Sequence, residues 1–328
     1  MVYSVTHRTV DRQFLFRPNH HPRQPLLDQS CPIEALDPNN RIIPVPSNIN
    51  IVGSSYVRAM RKSPVQLHCA ELNIDHGHDE ISEHPECEPG NIPIFYRNAK
   101  SLIANQVNWR LEREGAVYAG PYRMEPCLDD EAAEARWLYA MTNTVKDGLV
   151  EKVSESPFFN TYKHQAFGEP LKFWWINWTA FYKAGGWDNK KIHPKMFLEW
   201  GELEITPLPH LQDLPEHKRQ TRVRQTIREH EHLIAEQRTA QERTVIGVPA
   251  LYKVDPRDRP KNPKHSGPQP LCHTTDKKLR REFEERWRAH VSEHKKASFD
   301  YRQGYYEREF PEGSFRPPLI TIYTSSAL

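Results

Sequence analysis

The clearest pattern of apolar and polar positions lies in Leu128–Val150, LDDEAAEARWLYAMTNTVKDGLV. At about 100° per residue Leu138, Met141, Thr142 and Val145 share one sector, which predicts the core face of a single amphipathic helix. Asp129 or Asp130 can cap its start, acidic residues fill its first turn, Lys146 stands near its end and Gly148 supplies a left-handed stop. A second stripe runs beside the core face: Ala132, Arg136, Tyr139, Asn143 and Lys146, at spacings of three and four. It sets a phenol and an amide one turn apart with a cation above and below, a surface suited to a phosphate. The plainer reading of Tyr139 is a half-buried packing residue with its hydroxyl in water.

The same periods place elements along the rest of the chain. Val2–Phe16 alternates and ends in an apolar run, predicting a strand to which His7, Arg8 and Arg12 add local positive charge. Residues 18 to 50, rich in Pro, Asn and His, hold no sustained period and read as a long surface insertion, with His20 and His21 in solvent. Val52, Tyr56 and Ala59 or Met60 define a helix over Ile51–Lys62, ended by Ser63-Pro64, and Val65–Leu72 follows as a strand. Pro93–Gly115 reads as a helix with Phe95, Ala99, Ile103, Val107 and Leu111 on its buried side. Val117–Leu128 reads as a strand bent at Gly120-Pro121.

Between these elements stands NIDHGHDEISEHPECEPG, Asn73–Gly90. His76 and His78 are one residue apart, so on a strand both leave the same face about 7 Å apart, close enough to grip one ion. The alternatives are a polar hairpin with both imidazoles in water, and a structural zinc site drawn from Cys69, His76, His78, His84 and Cys87. The spacing of that second set matches no standard finger. With a strand here, the order strand, helix, strand, strand, helix, strand, helix predicts an α+β sandwich of the ferredoxin-like kind. Such a fold is an antiparallel sheet with helices on one face.

Past Ser156-Pro157, Leu171–Trp187 concentrates aromatic residues, read as a core joining two lobes, with base stacking as the functional alternative. Leu214–Val245 predicts a long polar helix with Val223, Ile227 and Ile234 on its apolar side. His230 and His232 point to different faces of it and make a poor metal pair. Val254–Leu271, Pro-rich and mostly basic, is equally suited to tracking phosphates and to connecting. Thr275–Ala297 is a charged helix with Leu279, Phe283, Trp287 and Val291 on a narrow packing face.

Composition narrows the partners. The 328 residues allow one large domain or two ordinary ones, and 45 Lys and Arg against 43 Asp and Glu give a net charge of +2. Any nucleic-acid surface must therefore be a local patch. The five cysteines (Cys31, Cys69, Cys87, Cys127 and Cys272) contain no C-x-x-C pair, which fits reduced thiols in a cytosol. No apolar run of about 18 residues and no signal-like N-terminus is present, so a soluble, cytoplasmic protein without a membrane partner is expected.

HRTVDRQFLF (His7–Phe16), the His76-Gly77-His78 pair, VYAGPYRMEPCLDDEAAEA (Val117–Ala135) and WLYAMTNTVKDGLV (Trp137–Val150) together resemble the single-tyrosine HUH transposases. The branch is that of the REP-associated tyrosine transposases. The likeness covers roughly residues 1 to 165, with the insertion at 18–50, and leaves 166–328 as an aromatic and basic, mainly helical C-terminal extension. It implies a catalytic HUH domain in which His76 and His78 hold a divalent ion, Asn143 is the third ligand and Tyr139 the nucleophile. Attack on single-stranded DNA would form a 5′-phosphotyrosine link and release a 3′-hydroxyl. Mg2+ or Mn2+ is the implied ion, and hairpin or repeat-associated DNA the implied partner. Arg136, Lys146, Arg8 and Arg12 are the candidate phosphate contacts. Relatives are built with active sites within one chain or between two, so monomer and homodimer both stay open.

The chain departs from the family pattern at the histidines. The family carries a bulky apolar residue between them and an apolar strand after them, whereas Gly77 and then Asp79-Glu80 stand here, predicting a short or distorted strand. Glu71, Asp75, Asp79, Glu80 and Glu83 make the setting acidic, which helps a cation and repels DNA unless the carboxylates turn away. Asn143-Thr144-Val145 replaces a frequent Asn-Pro-Val and keeps the amide. The alternatives are a catalytically degenerate, domesticated nucleic-acid-binding protein on the same fold, and a zinc-stabilised interaction protein using Cys69 and Cys87. The tail Phe310–Leu319 resembles an ending found in a long-chain subset of the transposases and is expected to pack on the body.

Overall fold

The computed structural model describes residues 1–18, 33–36, 41–260 and 270–318. In chain order it holds β1 (Val2–Arg8), a hairpin of β2 (Ile33–Leu36) and β3 (Ile42–Val45), α1 (Asn48–Met60), β4 (Val65–Leu72), β5 (His76–Glu83), α2 (Asn91–Arg110) and β6 (Arg123–Cys127). Next come α3 (Asp130–Met141), α4 (Asn143–Lys146), β7 (Phe159–Asn160), α5 (Tyr162–Phe167), β8 (Lys172–Ile176) and α6 (Trp178–Lys183). The last elements are β9 (Leu198–Glu202), α7 (Glu216–Ala240), α8 (Val248–Leu251) and α9 (Lys277–Arg302). The fold is α+β, with an antiparallel central sheet in the order β6-β1-β5-β4-β7.

Helices cover both faces of this sheet, not one. β5 explains why, since it is buried at every position from His76 to Ser82, where a one-sided sheet would alternate. Asp79 points to α1 and α2, where both Tyr56 and Tyr96 donate to its Oδ2 at 2.8 Å. Neighbouring His78 points the other way, to α3. Val5, Leu67 and Ile81 pack in one core with Tyr56, Phe95 and Ile103, while Val2, Cys69 and Cys127 pack in the other with Trp137 and Met141. The strand at the histidines is regular across its eight residues and paired on both sides; the irregularity lies in β4, between Leu67 and Cys69. Gly77 is required there, because a Cβ would stand 2.5 Å from His7 Nε2 and 2.8 Å from the Glu71 carbonyl oxygen. His7 occupies the space of the expected apolar side chain.

Other boundaries moved for local reasons. The first strand stops at Arg8, where Asp11 and Arg12 take positive φ in a short turn, before Leu15 and Phe16 enter the core. The strand expected over 117–128 is regular only as β6, with a single bridge from Thr9 to Tyr118 before it. Helix α2 ends at Arg110 because Glu112, not Gly115, takes the first positive φ after it. Part of the insertion is folded, as the β2–β3 hairpin and the first turn of α1, which Ser47 caps through Asn50 N; His20 and His21 lie outside the described residues.

After α4 the chain adds strands as well as helices. β7 joins the sheet edge beside β4, and β8 and β9 form a two-stranded antiparallel sheet on α1 in which Phe173 fills the space a Cβ of Gly53 would take. Phe173 and Trp175 of the aromatic segment thus join the core with α1, where Asn50 bonds the backbone of Trp174 on both its N–H and its carbonyl, while Trp178, Phe181 and Trp187 pack with one another. Val223 and Ile227 of α7 share a core with Met141. The stripe expected to pack α9 stays open among the described residues, with Leu279 37% and Trp287 45% exposed. Phe310 of the tail lies against His294 and Tyr301 of α9, and Leu319 is outside the described residues. Residues 261–269 of the basic Pro-rich stretch are also outside them; just before, Phe14 N–H donates to the Asp258 carbonyl at 3.0 Å. No helix among the described residues is long and apolar enough to cross a membrane.

Candidate functional site

The site begins with the break in the helix that carries Tyr139. Asp129 caps α3 by accepting from Ala132 N at 2.7 Å, and Thr274 and Thr275 tie the same carboxylate from outside. The single helix expected over Leu128–Val150 divides at Thr142, whose hydroxyl donates back to the Leu138 carbonyl at 2.7 Å and whose φ/ψ of −101/8 leaves helical space. Trp137 and Ala140, outside the expected core face, are buried with Met141, while Leu138 is only partly so. The division turns Asn143 inward, and it is fully buried.

On the sheet, His76 and His78 leave the same face of β5 with ring centroids 5.3 Å apart. His78 meets the Tyr139 ring edge-on at 5.0 Å, and its Nδ1 lies 3.1 Å from Thr6 Oγ1. His76 Nδ1 lies 2.7 Å from Asp75 Oδ1, and Arg12 Nε donates to the other oxygen of that carboxylate at 2.8 Å. A carboxylate at Nδ1 favours a proton there, which in the neutral imidazole leaves Nε2 as a lone pair, the arrangement that prepares a histidine for a metal. Burial opposes ionisation of Asp75, but the His76 and Arg12 contacts prevail and hold its pKa below the ordinary range.

Nε2 of His76 faces the Asn73 amide nitrogen at 3.3 Å. That nitrogen also donates to Asn143 Oδ1 at 2.6 Å and lies 3.4 Å from Asp147 Oδ2. Asp147 Oδ2 is 3.4 Å from His76 Nε2 as well, and its side chain is 40% exposed. The direction of the Asn73 amide is set by its own oxygen, which accepts from the backbone N–H groups of Asp75 and His76 at 3.2 Å each.

Charges are arranged around the phenol. The Arg136 guanidinium stands 4.5 Å and the Lys146 ammonium 4.2 Å from the Tyr139 ring centroid, and Arg136 Nε is held by Ser4 Oγ at 3.0 Å. Arg8 ends β1 opposite His76. Burial raises the Tyr139 pKa and Asp147 adds to the rise, against the opposing pull of Arg136 and Arg8. Burial likewise drives His78 well below its ordinary value, with His76 and Arg136 adding to the effect. Glu71, opposite His78 in the β4–β5 register, is 1% exposed and neither carboxylate oxygen has a partner. Burial and then Asp147 push its pKa well above the carboxylate range.

Tyr139, His76, His78 and Asn143 are thus brought to one pocket, with Arg136 and Lys146 beside the phenol; Arg12 is engaged with Asp75. The donor set fits a divalent cation: an imidazole lone pair and two oxygens converge on one nitrogen, and an unpartnered buried carboxylate lies nearby. Sequence reasoning missed Asn73 and Asp147. Asp147 follows Asn143 by four residues, so the stripe could have been extended to it; Asn73 carried only the signal of an Asx residue before a turn.

The acidic segment turns out to be internal rather than a screen against DNA. Asp79 is buried on the far face with its pKa raised by burial to about 7, and the Tyr96 and Tyr56 hydrogen bonds limit the rise. Glu83 accepts from the N–H groups of Gly90 and Asn91 at the start of α2. The zinc set does not assemble. His84 and Cys87 pair at 3.8 Å past the end of β5, roughly 25 Å along the strand from His76. No metal-ligating group of three or more His, Cys, Asp or Glu is found among the described residues.

No protein-family model matches this chain, and neither does any curated protein. One solved structure, a REP-associated tyrosine transposase bound to a REP hairpin, is similar over 51% of this chain and 80% of that one. Its sequence identity is 15% and its TM-score 0.33. At that distance function has to be read from the pocket itself.

Proposed function

We propose that this chain is a metal-dependent single-stranded DNA endonuclease and strand transferase of the transposase kind. The observation that carries the reading is the Tyr139 ring against His78, between two cations, in the pocket that His76 and Asn143 share. The order β1-α1-β4-β5-α2-β6, with β1 between β5 and β6, supports a ferredoxin-like HUH frame for it. His76 Nε2, His78 and Asn143 Oδ1 would hold Mg2+ or Mn2+. The ion, when bound, supplies positive charge against a scissile phosphate.

The chain's own residues do the rest. Arg136, Lys146 and Arg8 offset the phosphate charge beside the phenol, and Arg12 acts through Asp75 to orient His76. Tyr139 Oη attacks phosphorus, its proton leaves, a 5′-phosphotyrosine bond forms and the P–O3′ bond breaks, the 3′-oxygen taking up a proton. Because the ester energy stays in the phosphotyrosine, a second 3′-hydroxyl can reverse the step without ATP. Hairpin or repeat-associated single strands are the proposed substrates.

A second reading, a non-catalytic DNA-binding descendant, is favoured by one feature: the Asn73 amide fills the centre of the pocket. The two separate in one assay. Incubated with Mn2+ and a broad pool of labelled hairpin oligonucleotides, the chain is expected to form a denaturation-resistant adduct, absent in Tyr139→Phe and His76→Ala. Binding of the pool without any adduct would establish the second reading instead.

A further inference from the structure

The residues around the Asn73 amide nitrogen are an unusual set for a nitrogen to meet. Its oxygen is committed to the N–H groups of Asp75 and His76, so the nitrogen must be the end that faces the pocket. There it is met by His76 Nε2 at 3.3 Å, Asn143 Oδ1 at 2.6 Å and Asp147 Oδ2 at 3.4 Å. The amide oxygen and the carboxylate accept, and His76 Nε2 joins them as an acceptor in the neutral tautomer whose proton sits on Nδ1 beside Asp75. An NH2 group has two protons for three acceptors. The Asp147 oxygen also lies 3.4 Å from His76 Nε2, so the two groups are placed to hold a positive charge between them, a proton or a cation. One buried group beside the cluster adds independent weight: the Glu71 carboxyl is 1% exposed with both oxygens unpartnered.

Resting on the metal-dependent reading above, we propose that Asp147 is a further ligand of the cation at this site, and that the Asn73 amide nitrogen holds the cation's position until one binds. Asp147 is built for the role by its place in the chain. It follows Asn143 by four residues, so one short helix delivers both oxygens, and its partial exposure gives the pocket a polar mouth. With Asp147 as a ligand, binding requires the Asn73 amide to rotate out, and an uncharged site of two imidazoles and an amide becomes an anionic one. That change favours hard divalent ions over soft ones.

Manganese binding to the full chain without DNA, read by electron paramagnetic resonance, tests this directly. Asp147→Asn is expected to weaken Mn2+ binding about tenfold or more. Asn73→Asp keeps the oxygen that caps the turn but replaces the donor nitrogen by an acceptor. Without a cation it is expected to lower Tm, and saturating Mn2+ is expected to restore Tm to the wild-type value or above. Wild-type Mn2+ affinity in Asp147→Asn, with binding lost in His76→Ala, would overturn this inference and leave the metal-dependent reading standing. Failure of Mn2+ to restore Asn73→Asp would overturn the placeholder role. Absence of Mn2+ binding in the wild-type chain would overturn both.

Discussion

The two faces of β5 bury comparable polar chemistry and do opposite things with it. Toward α1 and α2, Asp79 takes both tyrosine hydroxyls on one oxygen, with His7 Nδ1 3.9 Å from that same oxygen, and the cluster is sealed. Toward α3, His76, Asn143 and Asp147 converge on the Asn73 amide nitrogen, and Asp147 and Tyr139 reach solvent. Burial of a titratable group shows only that its charge is costly there. Asp79 Oδ1 and His7 Nδ1 are unpartnered too, so it is the convergence of several groups on one point, and access from outside, that separate a site from a closed core. Perturbed pKa values alone do not make this distinction, since burial shifts both His7 and His78 downward, His7 to about 3.

The contrast can be broken by variants of one face that leave the other working. The largest effect is expected on the α3 face, where His78→Ala lowers the rate of DNA adduct formation about 10²-fold or more. Tyr96→Phe, which removes one donor from Asp79, leaves that rate unchanged; equal losses in the two variants would deny the division. Conversely, Asp79→Leu strands two phenolic hydroxyls in the core and is expected to cost about 2–4 kcal/mol in urea unfolding. Its Mn2+ affinity stays at the wild-type value.

Gly77 joins the two faces. Gly77→Ala drives a methyl into His7 and the Glu71 carbonyl and is expected to cost about 1–3 kcal/mol. Adding His7→Ala recovers part of that loss, because one of the colliding groups is gone; purely additive costs would contradict the contact.

A smaller signature is pH-dependent. Asp79 titrates near 7 in the folded chain against 3.8 otherwise, so the folded state binds its proton more tightly and loses this advantage as pH rises from about 4 to about 7. His7 acts in the opposite sense, its stability contribution fading as pH falls from 6.5 toward 3. Asp79→Asn is therefore expected to gain stability relative to wild type as pH rises from about 4 to about 7. A difference that stays flat across that window would place the Asp79 carboxyl in a polar setting. Smallest are the caps: Asp129→Ala on α3 and Ser47→Ala on α1 each cost about 1 kcal/mol in thermal unfolding.

Periodicity revealed the elements well and their surroundings poorly. The core sides of α2 and α7 follow from Phe95, Ala99, Ile103 and Val107, and from Val223 and Ile227, because a helix facing one core must repeat at that period. β5 had no such pattern: with both faces covered, its polar residues are buried alongside Ile81, and alternation carries no information. That one fact hid the second helical layer and made a regular strand look distorted. The break at Thr142 was invisible because it depends on a hydroxyl meeting the carbonyl four residues back in a buried setting. Within the pocket, the stripe on α3 and the spacing of His76 and His78 were readable as local geometry. Asn73 was not, since its part depends on a turn placing its amide against a helix seventy residues away.

The most direct test is the identity of the DNA-linked residue. After reaction with the hairpin pool in Mn2+, the adduct is digested with nuclease and protease and mapped by mass spectrometry. A phosphodeoxynucleotide on Tyr139, linked through a 5′-phosphate and lost in Tyr139→Phe, is the predicted result. An adduct that maps to another side chain, or that persists in Tyr139→Phe, would contradict it.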